Sequence, residues 1–334
     1  MDIFINKKQW NQFDENQMIQ FKQEIFNHYR NTGFPYFPTD KSWRKNEFQK
    51  FINFNDSNII KNDEITQSMH GLAFCWSYMP HAYNVACNGF KTPLWAFSDD
   101  DIFKKVIDKR IKMGDNISDN GIRKMLKIFT GVQCVSNFRP TSASAIYNLF
   151  GKNKVVWDMS CGYGGRLIGA FKANVKKYIG TEPCTETFNG LNKIINDIKE
   201  FVPYSNIKFE LHKLGSEDFI PKEEVDLCFT SPPYFNTEKY SDEDTQSWKK
   251  YNTKESWLNN FLGKTLDNCM QCLKKDAILI VNIANVKSYK NIEDDFLMIA
   301  KEKGFKLIDI MKYNLSSLSH NSKFKFEPIF IFKK

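Results

Sequence analysis

Three short stretches hold the residue types that could do chemistry. In the first, the apolar run Val155-Val156-Trp157 ends in Asp158, and Met159-Ser160-Cys161-Gly162-Tyr163-Gly164-Gly165-Arg166 follows. Glycines let the backbone turn sharply and approach a ligand closely, and the helix that Arg166-Leu167-Ile168-Gly169-Ala170-Phe171 opens would offer free N–H groups. Taken alone this is equally a tight strand-to-helix turn with no ligand. In the second, Tyr178-Ile179-Gly180-Thr181 reads as another strand, with Glu182 at its end. A carboxylate about 20 residues after the first strand suits a ribose hydroxyl pair. In the third, Val225-Asp226-Leu227-Cys228-Phe229 runs into Thr230-Ser231-Pro232-Pro233-Tyr234. Two prolines after a buried strand fix a rigid, extended loop at the strand's carboxyl end, where open α/β sheets bind ligands.

In this order the stretches resemble the S-adenosylmethionine-dependent DNA methyltransferases that modify exocyclic amino groups. The resemblance covers residues 134–334, and SPPY is its most specific part. It implies an α/β fold with a seven-stranded, Rossmann-like class I methyltransferase sheet in a three-layer sandwich, and S-adenosyl-L-methionine as cofactor. Carried over residue by residue, it places Asp158, Ser160, Cys161, Gly162, Gly164, Gly165 and Arg166 in the cofactor loop. Glu182 and Pro183 would sit at the ribose, Asp218 at the adenine amino group, and Thr230 beside them. The segment Asn137-Phe138-Arg139-Pro140-Thr141 looks like the element that closes over the methionine end, with Arg139 on the carboxylate. No metal is implied.

Catalysis would fall to Ser231, Pro232, Pro233 and Tyr234. An amine conjugated to a base ring is a poor nucleophile because its lone pair is delocalised. Acceptors on its two N–H groups would pyramidalise it for in-line attack, and the Ser231 hydroxyl and Pro232 carbonyl suit that role, with Tyr234 stacking on an extruded base. Ser231 leans toward cytosine N4, while adenine N6 stays open. An RNA base methyltransferase, a base-hypermodifying relative and an idle nucleic-acid-binding module also remain. The partner is then DNA, with RNA possible. Family members often insert a target-recognition domain between the cofactor and catalytic motifs or at the C-terminus. Neither place holds one here, so recognition falls to the N-terminal region or to the loop 235–252, rich in polar and aromatic residues.

The elements that must position these residues divide the chain into a mostly helical accessory region, 1–133, and a catalytic domain, 134–334. Apolar residues recur at helical intervals from Gln9 to Tyr29 (Phe13, Met18, Phe21, Ile25, Phe26), and Asn31 to Pro38 breaks the pattern. Thr141 or Ser142 would cap a helix stopping at Gly151, and Phe188, Leu191, Ile194, Ile195 and Ile198 share one face of another. Further strands are read at Ile207–Leu211 and Ala277–Ile283, and a closing antiparallel pair at Phe305–Tyr313 and Phe324–Phe332.

Composition sets the outer bounds. The 334 residues carry a net charge of +8 spread over both regions, which suits phosphate contact without requiring it. Eight scattered cysteines and no leader or membrane span point to a reduced, cytoplasmic protein. Several clusters invite sharper readings that their spacing does not support. His70, Cys75, His81 and Cys87 match no zinc knuckle, and Cys269 and Cys272 form a single CxxC inside a helical pattern. Asp99, Asp100 and Asp101 follow Ser98, read as a helix cap with acids in the first turn. Pro183-Cys184 is superficially the nucleophile pair of cytosine C5 methyltransferases, but it directly follows Glu182 and reads as structural.

Overall fold

The computed structural model describes residues 4–315 and 326–334. The chain forms two compact units: residues 1–38 with 80–136, and residues 39–79 with 137–334. These units differ from the single N-terminal block 1–133 read from the sequence: residues 39–79 pack with 137–334. In the first unit, helices Glu15–Thr32, Pro93–Ser98, Asp100–Lys112 and Asp119–Ile128 bury a core that includes Phe21, Ile25, Phe26, Phe103, Val106 and Leu126. The cap of its Asp100–Lys112 helix is Asp99, whose carboxylate accepts the Ile102 N–H at 2.9 Å, and not Ser98.

In the second unit the elements run α1 (Lys41–Asn53), β1 (Ile60–Lys61), β2 (Glu64–Ile65), α2 (Leu72–Trp76), α3 (Pro140–Phe150), β3 (Val155–Asp158), α4 (Gly165–Lys172), β4 (Lys177–Thr181), α5 (Thr185–Phe201), β5 (Lys208–His212) and β6 (Val225–Thr230). They continue with α6 (Lys264–Cys272), β7 (Leu273–Asn282), α7 (Ile292–Glu302), β8 (Lys306–Asn314) and β9 (Phe326–Lys333). The sheet order is β1-β2-β8-β9-β7-β6-β3-β4-β5. Strands β7, β6, β3, β4 and β5 are mutually parallel, and β9 lies antiparallel between β7 and β8. This is the expected seven-stranded arrangement with a two-residue hairpin pair, β1 and β2, added at the β8 edge. Of the last expected strand, Phe324 lies outside the described residues.

Alternation along the strands builds three layers. Trp157, Ile179 and Cys228 face a core shared with Trp257, Phe261, Leu266 and Phe296, from the helical run beginning at Trp257 and from α7. Leu227 and Phe229 face the other way, toward Tyr147 of α3. On that face α1 packs too: Phe48 meets Phe171 of α4 and Phe201 at the end of α5. Helix α3 begins with Pro140 at its first position behind Arg139, which makes no side-chain cap, so neither Thr141 nor Ser142 is the cap; it stops at Gly151 as read. Among the described residues no helix is long and apolar enough to cross a membrane.

Candidate active site

At the carboxyl edge of the parallel strands, β3 ends in a loop whose Gly162 and Gly164 have φ of +56° and +83°. Glycine adopts these values at the least steric cost. Gly165 packs so closely that an added Cβ would collide with the Phe138 carbonyl. That close approach fixes how the loop enters α4.

Asp158, at the tip of the central strand, is fully buried. Its Oδ2 accepts from Arg166 Nε at 2.9 Å and from the Tyr178 hydroxyl at 2.7 Å. Its Oδ1 accepts from the Ser160 N–H and the Thr230 hydroxyl, each at 3.3 Å. One carboxylate thus ties together β3, β4, β6 and α4. Arg166 is buried as well, and its guanidinium also donates to the Ser160 carbonyl. Asp158, Arg166 and Thr230, expected at the cofactor, do not line the pocket described next and form a brace beneath it.

Above this brace lies a partly enclosed pocket. From the expected cofactor set it is lined by Ser160, Gly162, Glu182 and Pro183, and from the catalytic set by Ser231 and Pro233. Glu182 is 8% exposed; its Oε2 accepts the Gly162 N–H and its Oε1 the Cys184 N–H, both at 3.0 Å. Burial pushes its pKa up to about 7, even though those two N–H donors pull it down.

The other expected residues stand elsewhere. Arg139 donates through Nε to Gln67 at 2.9 Å and does not reach the pocket. Phe138 stacks on Tyr313 at 5.0 Å, Pro140 is buried in the first turn of α3, and Cys161 is buried behind the loop. Asp218 bonds Lys250 at 2.6 Å and Lys264 at 3.4 Å, which hold its carboxyl below the usual range; its neighbour Glu217 lines the pocket instead. Pro232 is buried outside the lining. Tyr234 does not offer a face to the pocket: its ring packs in the core, and its hydroxyl lies 3.2 Å from Glu327 Oε2, 3.4 Å from Asn282 Oδ1 and within hydrogen-bonding range of Ser231.

Sequence reasoning missed part of the lining. Glu217 lies one residue from the acid chosen, in a segment where spacing alone cannot decide which carboxylate turns inward. Tyr240, Thr245, Gln246, Ser247 and Trp248 come from the loop after the tetrapeptide, and they cover the pocket. Only that loop's polar and aromatic content signalled them. Phe261 reaches in from Trp257–Gly263, a π-helical stretch before α6. Among the described residues no group of three or more His, Cys, Asp or Glu is arranged to hold a metal.

Comparison with known proteins bears on the strand and loop just described. Residues 225–334, which open on β6 and the tetrapeptide, match the family model described as DNA methylase of the N6/N4 type. The match covers a third of the chain. The type II methyltransferase M.MjaVI of Methanocaldococcus jannaschii is 32% identical over 117 residues, 33% of this chain and 57% of that protein. The chain thus spans a little over half the length of this curated relative. Among solved structures, a methyltransferase from Pyrococcus furiosus has a TM-score of 0.41 at 14% identity, covering 68% of this chain and 96% of that one. A TehB-like SAM-dependent methyltransferase from Corynebacterium glutamicum gives 0.37 at 16%, covering 60% and 90%. The family resemblance read from the sequence therefore rests on the match over residues 225–334, and the fold on the strand order of this sheet.

Proposed function

We propose that this protein transfers a methyl group from S-adenosylmethionine to the exocyclic amine of a DNA base, cytosine N4 or adenine N6. One observation carries the reading: Ser231 and Pro233 of the tetrapeptide face the same pocket as Glu182. The residues present suit the cofactor. Glu182 holds two carboxylate oxygens at the pocket wall for a hydroxyl pair, and the buried Glu217 leaves its Oε2 without a partner there. A side chain at Gly162 or Gly164 would strain the loop that forms the wall.

S-adenosylmethionine supplies an electrophilic methyl on a sulfonium. The chain's own groups would then act on the amine. The Ser231 hydroxyl, on the pocket lining, accepts one of its N–H groups and localises the lone pair for in-line attack. Tyr234, Asn282 and Glu327 hold the Ser231 end of the loop from below, which makes Tyr234 a positioning residue in this scheme. Asp158 holds the other strands in register with it. No strong base is required, because the methylated ammonium product gives its proton to water readily.

The test is incubation with methyl-labelled S-adenosylmethionine and unmodified duplex DNA, digestion to nucleosides and mass spectrometry. Labelled N4-methyldeoxycytidine or N6-methyldeoxyadenosine supports the proposal and assigns the base. Unlabelled DNA under conditions where the cofactor binds overturns the duplex-DNA assignment; label in RNA run in parallel would move the substrate there.

A further inference from the structure

We propose that Glu327 is a positioning residue: acting through the Tyr234 hydroxyl, it turns the Ser231 hydroxyl so that a lone pair, and not the proton, meets the target amine. This rests on the methyltransferase reading above and gives the tetrapeptide's tyrosine an inward role in place of stacking on the base.

A serine hydroxyl carries one proton and two lone pairs. Facing an aromatic amine, it can accept an N–H, which helps to pyramidalise the nitrogen. It can also donate to the nitrogen, which occupies the lone pair that must attack the sulfonium. Where the Ser231 proton is held decides between the two. Ser231 lies on the pocket lining, and its hydroxyl donates to the Tyr234 oxygen behind it. The Tyr234 hydroxyl in turn meets acceptors on its far side: Glu327 Oε2 at 3.2 Å, and the Asn282 carbonyl and Oδ1, each at 3.4 Å. Asn282 keeps its side-chain oxygen toward the tyrosine because its Nδ2 donates to the Pro328 carbonyl at 3.1 Å. These acceptors claim the one Tyr234 proton, which leaves the Tyr234 oxygen to receive the proton of Ser231. The chain from Ser231 through Tyr234 to Glu327 therefore runs in one direction while Glu327 is ionised. The lone pairs of Ser231 are what remains for the pocket.

Three strands bring these groups together. β7 lies between β6 and β9, with Val281 opposite Thr230 and Asn282 opposite Ile329, so the tetrapeptide, Asn282 and Glu327 share the carboxyl edge. They stand on the side of β6 away from β3 and β4, whose ends carry Gly162 and Glu182. Ser231 is thus held from the half of the sheet edge opposite the cofactor acid. Glu327 is also faced by Glu238 of the tetrapeptide's loop, by Glu293 of α7 and by Tyr313, its cross-strand partner on β8. Burial pushes the Glu327 carboxyl up and Glu293 adds to this, against the hydrogen bonds from Asn282 and Tyr234. Once protonated, Glu327 has an O–H of its own that competes with Ser231 for the Tyr234 oxygen.

The experiment is the single-turnover rate of methyl transfer to DNA at saturating S-adenosylmethionine, measured against pH, beside calorimetry with S-adenosylhomocysteine. We expect the wild-type rate to climb with pH along a limb set by Glu327, above the ordinary glutamate value of about 4.3. Glu327→Gln and Tyr234→Phe should each slow transfer about tenfold at about pH 8 and abolish that limb, with S-adenosylhomocysteine affinity within about twofold of wild type. Glu238→Gln removes a neighbouring acid and no link of the chain, so it should keep the limb. A limb that survives in Glu327→Gln or Tyr234→Phe, or is lost in Glu238→Gln, overturns the inference and leaves the methyltransferase reading standing. So does a rate loss matched by an equal loss of affinity in both chain variants. A wild type that transfers no methyl to DNA overturns both.

Discussion

The Glu182 carboxylate reaches back from the end of β4 to the glycine loop after β3, its Oε2 accepting the Gly162 N–H at 3.0 Å. The contact joins two of the three stretches singled out in the sequence, and it orients the acid before any ligand arrives. Burial of the acid, acting against this contact, gives it a pH dependence near neutrality.

Burial raises the Glu182 pKa to about 7, above an unfolded value of about 4.3. A folded pKa raised in this way contributes stability that is present below about pH 4.3 and lost as pH rises through about 7. Ligand binding has the opposite sign. The ionised form is the better acceptor for a ribose diol, so S-adenosylhomocysteine affinity should rise from about pH 6 to about pH 8, with proton release near pH 7. Calorimetry in buffers of different ionisation enthalpy measures that release; uptake of protons, or none, would remove Glu182 from the ribose.

Ser231 lines the pocket, and the proposed chemistry makes its hydroxyl an acceptor only when the amine is being pyramidalised. Ser231→Ala should lower kcat by about 10²–10³, the scale of losing one preorganised polar contact to a transition state. S-adenosylhomocysteine affinity should stay within about twofold. Equal losses in both quantities would show that Ser231 serves the cofactor or the fold.

Asp158 and Arg166 form a buried pair, and removing one partner leaves the other charge uncompensated. Asp158→Ala should cost about 3–5 kcal/mol in denaturant unfolding. A variant of wild-type stability whose only defect is weak cofactor binding would return Asp158 to the pocket wall.

What was legible in the sequence divides along physical lines. The strands β3, β4 and β6 and their turns could be read because apolar runs, glycines and prolines act locally. Glu182 followed from spacing. Asp158 and Arg166 were placed at the cofactor because type and position were right, yet whether a carboxylate at a strand tip faces ligand or neighbours is decided by Tyr178 and Thr230 on adjacent strands. Tyr234 turned inward for the same reason, drawn by Asn282 and Glu327 from distant parts of the chain. The Gln246 side of the pocket could not be located, since loop closure depends on Glu243 meeting Thr185 and Lys250 meeting Glu217.

Residues 39–79 were read as part of a separate N-terminal region, and their packing predicts otherwise for stability. Phe48 is 1% exposed, with ring centroids 5.2 Å from Phe74, 5.6 Å from Phe171 and 5.9 Å from Phe201. Truncating it would leave a cavity between α1 and the helices that carry the glycine loop and follow Glu182. Phe48→Ala should destabilise the protein by about 3–5 kcal/mol. Because α4 and α5 are the elements that loosen, S-adenosylhomocysteine binding should weaken on heating at a lower temperature than in the wild type. Denaturant unfolding with and without that ligand measures both effects. A loss under about 1 kcal/mol would show that α1 is dispensable to the catalytic unit and restore the simpler division near residue 134.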